Sequence, residues 1–183
     1  VKDEDNDIFE KGSLVLRKIL FKDHPYAMRD TGAEESLNTI SRDDLIRFYQ
    51  SRCIPNNMVI AISGDIDPEK IFKKIETLFN EVQRRDLVRP LKNVPGPLSS
   101  ASQMVKMDKE QALLMLGFRT VALNDPDRYP LDVLNGLLSG TSGRLFIALR
   151  EKSGLAYTMG STQKLGVDTG FILLYAATAA DKI

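Results

Sequence analysis

Apolar and polar residues alternate in blocks of helical and strand period, and most elements can be read from that pattern alone. After an acidic opening from Val1 to Asp7, apolar residues at Ile8, Phe9, Leu14, Leu16, Ile19 and Leu20 predict a first helix. His24-Pro25-Tyr26 ends it, because Pro25 lacks a donor and disfavours helix at His24. A short helix is predicted over Glu34 to Thr39. Ser41 then opens another, with Asp44 completing a capping-box variant and Leu45, Phe48 and Tyr49 on a face expected to be buried. Pro55-Asn56-Asn57 is turn chemistry, and Met58 to Ile62 is an apolar run of strand length. Asp67 as N-cap and Pro68 at the first helical position start an amphipathic helix carrying Ile71, Ile75, Leu78 and Phe79.

Periodicity is lost from 84 to 102, RRDLVRPLKNVPGPLSSAS, a stretch of linker composition. Candidate strands follow at Met104 to Met107 and Ala112 to Phe118. Asn124-Asp125-Pro126-Asp127 leads into a helix with Leu131, Leu134 and Leu138 inward, provided that Pro130 falls in its first turn. Leu138 to Gly143 is a turn of small residues that suits either close approach of a substrate backbone or a plain connection. Two last strands, about Tyr157 to Lys164 and Gly170 to Thr178, are joined through Gly166-Val167-Asp168. Phe171, Leu173 and Tyr175 alternate with Ile172, Leu174 and Ala176, so both faces of the last strand are expected to be covered. Each half mixes strands and helices, an α+β pattern with sheets packed against helices rather than strict βαβ alternation.

The stretch from Gly143 to Tyr157, GRLFIALREKSGLAY, carries the most chemistry. Leu145, Phe146 and Leu149 share the inner side of a short helix, with Arg144 and Arg150 on or beside its polar side. Lys152 suits the C-terminal dipole, and Gly154 supplies a left-handed stop. A helix that ends and at once feeds a strand brings Arg150 and Tyr157 toward the same space. A surface arginine and a tyrosine at a strand end are the ordinary reading of that pair, and a binding site is the functional one.

Composition removes several function classes. The 183 residues are 43% hydrophobic and 27% charged, enough apolar content for a core, and Lys plus Arg equals Asp plus Glu at 25 each. That balance gives no support for nucleic-acid binding or attraction to an acidic membrane. No apolar run approaches a membrane span. The chain opens on Val1 rather than Met and stops just after a strand, so it reads as a piece of something longer. The single Cys53 excludes an internal disulfide and is expected to be a small packing residue. His24, the only histidine, is expected as a turn or surface residue, since no second His or Cys completes a metal site. The SGDID turn lacks the glycines of a phosphate site, and its two aspartates repel phosphate. Met104, Met107 and Met115 are expected to be packing residues.

Two sets of motifs resemble the pitrilysin/insulinase-type zinc metallopeptidases, the group that includes the mitochondrial processing peptidases. One set is Ser142-Gly143-Arg144-Leu145-Phe146, Leu149-Arg150-Glu151-Lys152 and Gly154-Leu155-Ala156-Tyr157, similar to the second-domain motif of that family. The other is His24-Pro25-Tyr26, Gly32, Glu34-Glu35-Ser36, Asp44-Leu45, Phe48-Tyr49, Pro55-Asn56-Asn57-Met58 and Gly64-Asp65, in the order seen late in the first domain. The resemblance implies two homologous domains, each partly present: 1–85 as the end of the first, 86–102 as linker and 103–183 as the start of the second. It further implies that Arg150 and Tyr157 bind substrate across a cleft from a zinc ion held elsewhere.

In that family two histidines of an inverted His-x-x-Glu-His helix and a later glutamate hold the zinc. This chain has one histidine and no such motif. The alignment therefore places the ligands upstream of Val1, and neither Glu4 nor Glu10, the acidic candidates near that junction, is assigned as one. The resemblance implies zinc in the full-length parent and none bound by this chain, a peptide or unfolded polypeptide as substrate, and a homo- or hetero-dimeric parent. The expected function is that of a metalloendopeptidase fragment supplying the Arg150/Tyr157 pair. The alternative is a non-catalytic partner or assembly subunit of the same family.

Overall fold

The computed structural model describes residues 5–86, 94, 96 and 99–182; Glu4 and much of the expected 86–102 linker lie outside the described residues. The elements run α1 (Ile8–Phe21), a 3-10 turn (Pro25–Ala27), α2 (Glu34–Thr39), α3 (Arg42–Arg52), a second 3-10 turn (Pro55–Asn57), α4 (Pro68–Phe79) and β1 (Gln111–Thr120). They continue with α5 (Arg128–Leu138), α6 (Arg144–Phe146), a π-helical turn (Ile147–Lys152), β2 (Thr158–Lys164), β3 (Gly170–Ala179) and a last 3-10 turn (Ala180–Lys182). The fold is α+β. Its residues group into two compact units, Val1–Ala33 with Leu91–Ile183, and Glu34–Pro90.

The first unit is built on an antiparallel sheet in the order β1-β3-β2. β3 lies in the centre because its sequence is apolar on both faces and needs cover on both. It pairs with β1 from Gln111↔Ala179 to Thr120↔Gly170, and with β2 from Thr158↔Ala177 to Lys164↔Phe171. α1 covers one face. Its first turn is capped by the Asp7 carboxylate, which accepts from the N–H groups of Phe9 at 2.7 Å and Glu10 at 3.0 Å. Phe9 meets Tyr175 edge-on at 5.6 Å. Helix and sheet approach closely at Gly117, where a Cβ would lie 2.8 Å from Leu16 Cδ1. Leu16, Leu20, Phe21, Ala27 and Phe171 form the core, with Tyr26, Met115 and Leu173 against it. Phe21 is 0% exposed, and burying a side chain of that size stabilises by roughly 1.5–3 kcal/mol.

The turn after α1 ties the β2–β3 hairpin to this core. His24 caps the Pro25–Ala27 turn, its Nδ1 accepting from the Tyr26 N–H at 3.3 Å. It is a turn residue as expected, but at 4% exposure it is not on the surface. Its Nε2 lies 3.4 Å from Asp168 Oδ2 in the hairpin. The Tyr26 hydroxyl accepts from the Val167 N–H at 2.9 Å. Phe21 packs edge-on against both Tyr26 and Phe171, at 5.6 and 5.7 Å.

The second unit keeps the predicted helices. Ser41 and Asp44 form the reciprocal capping box, Asp44 N–H donating to Ser41 Oγ at 3.2 Å and Ser41 N–H to Asp44 Oδ2 at 2.9 Å. Asp67 caps α4 behind Pro68. Tertiary expectations fare differently. Met58 to Ile62 forms no strand, and Val59 is 97% exposed. A strand exists only where a neighbour accepts its backbone hydrogen bonds, and the sheet of the described residues does not include this run. For the same lack of an opposing layer, Leu45, Phe48 and Tyr49 of α3 are exposed rather than buried. Cys53 is exposed at the C-cap of α3, not packed. In the first unit, Met104 to Met107 is extended without a ladder and Met104 is 92% exposed, whereas Met115 packs on the core as expected.

Candidate functional site

The face of the sheet opposite α1 carries the Gly143–Tyr157 segment. α5 begins after Asp127, with Pro130 inside its first turn as its sequence requires, and ends at Ser139. Gly140 turns the chain at φ +82°, and Gly143 donates to the Gly140 carbonyl at 3.0 Å. Only a glycine fits at 143, since a Cβ there would meet the carbonyl of Ser139, with the carbonyl carbon at 2.6 Å. α6 starts at Arg144, but the α-helix expected to continue through Arg150 widens into a π-helical turn from Ile147 to Lys152. Its carbonyls are taken up by the exit: Leu149 O accepts from Leu155 N–H at 2.8 Å and Ala156 N–H at 3.3 Å, and Arg150 O from Gly154 N–H at 3.1 Å. Gly154, at φ +58°, is the left-handed stop that the sequence predicted.

This widened turn brings Arg150 and Tyr157 together. Arg150 Nη1 donates to the backbone carbonyl oxygen of Tyr157 at 3.1 Å, and the guanidinium carbon lies 5.4 Å from the centre of the Phe146 ring. The contact is therefore to the tyrosine main chain, and Tyr157 is 45% exposed. A guanidinium has five N–H donors in a rigid fork, and Arg150 commits one of them to Tyr157 O. The exposed remainder and the phenol can both reach an acceptor outside the fold. Sequence placed Phe146 on the inner side of the helix with Leu145 and Leu149, and its i, i+4 spacing to Arg150 carried the signal for this contact.

A group missed by sequence lies at the base of the segment. Ser139 Oγ donates to Ser161 O at 2.7 Å and accepts from Ser161 N–H at 3.2 Å. Ser161 Oγ lies 2.8 Å from Ser139 Oγ and donates to Asn135 Oδ1 at 2.8 Å.

His24 has one ring nitrogen on the Tyr26 N–H and the other facing Asp168, and among the described residues no group of three His, Cys, Asp or Glu is placed to hold a metal. Among the described residues no helix is long and apolar enough to cross a membrane.

Comparison with known proteins agrees with this fold. The family described as "Peptidase M16 inactive domain" matches residues 39–183. A zinc protease of Rickettsia bellii is 32% identical over 168 residues, covering 90% of this chain and 40% of its own length. One of Mycobacterium tuberculosis is 33% identical over 168 residues, covering 89% and 38%. Among solved structures, the M16 inactive domain from Pseudomonas fluorescens superposes with a TM-score of 0.87 at 24% identity, over 98% of this chain and 44% of that one. The chain belongs to the M16 peptidase family. It spans about 40% of the length of the curated relatives that it matches.

Proposed function

We propose that the whole protein carrying this chain is a zinc-dependent metalloendopeptidase acting on peptides or unfolded polypeptides in a closed two-domain chamber. In this reading 1–85 is the end of the first domain, 86–102 the linker and 103–183 the start of the second. The zinc is held outside this chain. The Arg150 guanidinium, 3.1 Å from Tyr157 O, is the observation that carries the reading, because it ties a cation to the main chain of a half-exposed tyrosine at a helix-to-strand exit. Arg150 binds a substrate carbonyl or carboxylate, and the Tyr157 hydroxyl donates to the oxygen of the carbonyl under attack. The relatives, named as uncharacterized zinc proteases, support the reaction class.

The test is zinc content and peptidase activity of the whole protein beside Arg150→Ala and Tyr157→Phe. Near-stoichiometric zinc with kcat/KM falling ~10²-fold or more in either variant supports the proposal. Zinc-dependent activity indifferent to both substitutions sinks the site assignment. Absence of zinc and of activity favours the other reading, a non-catalytic partner in a homo- or hetero-dimer, which the "inactive domain" description of the matched family also suits.

A further inference from the structure

The segment that carries Arg150 and Tyr157 leaves α5 at Ser139 and rejoins the sheet at Tyr157, whose N–H donates to Ala177 O at 3.3 Å, with Thr158 to Ser161 paired to β3. α6 and the π-helical turn stand between Ser139 and that point. At the base, one hydroxyl does what a neighbouring strand would do: Ser139 Oγ bonds both the carbonyl and the N–H of Ser161. Among the described residues β2 pairs with β3 alone, so a side chain completes the outer edge of β2 at that residue. Ser161 is 7% exposed and sends its own hydroxyl to Asn135 Oδ1 on α5. Asn135 also holds Ser139 from the main chain, its carbonyl accepting from the Ser139 N–H at 2.9 Å. The three residues thus bond one another and join the end of α5 to the edge of β2.

We infer that Asn135, Ser139 and Ser161 form a positioning latch that holds the Arg150 guanidinium at the Tyr157 carbonyl. The consequence for substrate rests on the proposed function. With the latch open, α6 and the start of β2 move independently, and the bond from Arg150 to Tyr157 O is the first to lengthen. None of the three residues touches substrate. Their effect passes through the geometry of the pair, which is why hydroxyl-bearing residues are needed at 139 and 161 rather than apolar ones.

The experiment uses the whole protein with Ser139→Ala, Ser139→Thr and Asn135→Ala, the last removing one bond of the latch without touching the β2 edge. Hydrogen–deuterium exchange over 144–157 and KM for an unstructured peptide are read for each variant, alone and with Arg150→Ala. Ser139→Ala is expected to speed exchange over 144–157 while leaving 171–174 of β3 unchanged. It is expected to raise KM about fivefold, what one net hydrogen bond is worth, with little change in kcat. Ser139→Thr restores both, and Ser139→Ala adds nothing to KM once Arg150 is gone. Unchanged exchange over 144–157 in both Ser139→Ala and Asn135→Ala overturns the latch whatever the activity. Faster exchange with KM unmoved, while Arg150→Ala does raise KM, also overturns it. If exchange quickens and neither Ser139→Ala nor Arg150→Ala moves KM, the latch stands and the substrate reading falls.

Discussion

Gly166→Ala is the most exacting test of the tie between the His24-Pro25-Tyr26 turn and the β2–β3 hairpin. A Cβ at Gly166 would lie 2.5 Å from Tyr26 Cε2 and 2.6 Å from the Thr169 carbonyl oxygen, and it would also overlap the Tyr26 hydroxyl. The ring has little room to yield, since it packs edge-on against Phe21 at 5.6 Å and His24 at 4.5 Å. Relief therefore needs Tyr26 to leave its site. That forfeits its bond from Val167 N–H, about 1 kcal/mol net, and two aromatic contacts of about 0.5–1.5 kcal/mol each. The expected cost is about 2–4 kcal/mol. For a chain of this length, at about 2–4 °C per kcal/mol, Tm drops by roughly 4–16 °C in scanning calorimetry. Tyr26→Phe removes only the hydroxyl and is expected to cost about 1 kcal/mol or less. In a Tyr26→Ala background two of the three nearest contacts are gone and Thr169 O remains, so Gly166→Ala is expected to add less than it costs alone. A Gly166→Ala protein within about 0.5 kcal/mol of the parent refutes the reasoning: the hairpin end would then shift freely and Tyr26 would clamp nothing.

Phe21→Ala empties the most buried large side chain of the core and is expected to cost about 3–5 kcal/mol by denaturant titration; a loss under about 1 kcal/mol would mean that α1 re-docks on the sheet. The Ser41 hydroxyl, then the Ser41 backbone N–H and the Arg47 guanidinium, hold the Asp44 carboxyl below its ordinary value of 3.8. Since the folded pKa is the lower one, the cap contributes above the ordinary value and is lost as pH falls through the folded one. Carbon-13 titration should put the Asp44 midpoint below 3.8, and Ser41→Ala should raise it. An unmoved midpoint counts against the cap. The isolated chain is expected to self-associate, because Leu114, Leu116 and Phe118 share one exposed face of β1. A monodisperse monomer by light scattering would contradict that.

Local elements were largely legible because their causes are local. The cap at Asp67-Pro68, the Ser41/Asp44 box, Pro130 in a first turn and the left-handed Gly154 depend on residues within a turn of each other, and each falls where the pattern puts it. The hairpin of β2 and β3 was legible for the same reason. Met58 to Ile62 and Met104 to Met107 read as strands because apolar runs record a tendency to be covered, not the presence of a partner. Leu45, Phe48 and Tyr49 mark a helical stripe correctly, and the stripe says nothing about what lies opposite.

At the candidate site the division is finer. Sequence named Arg150 and Tyr157 through motif and spacing, and placed both at a helix-to-strand exit. It did not say that the arginine grips the tyrosine main chain, because that depends on a turn widened by one residue and closed through Leu149 O. Nor did it pick out Ser139 and Ser161, whose hydroxyls meet across 22 residues of chain. His24 read as a turn or surface residue; it is a turn residue, and only the folded hairpin, bringing Asp168 across 144 positions of sequence, makes it a buried one. By itself the sequence determined the class of fold, the local helices and turns, and the lack of a histidine pair for zinc, all of which follow from composition and short-range spacing, while its motifs carried the resemblance to the family. Tertiary structure alone decided which apolar runs became strands, which faces were buried and which hydroxyls hold the Arg150–Tyr157 segment, since those depend on backbone partners that are distant in the chain.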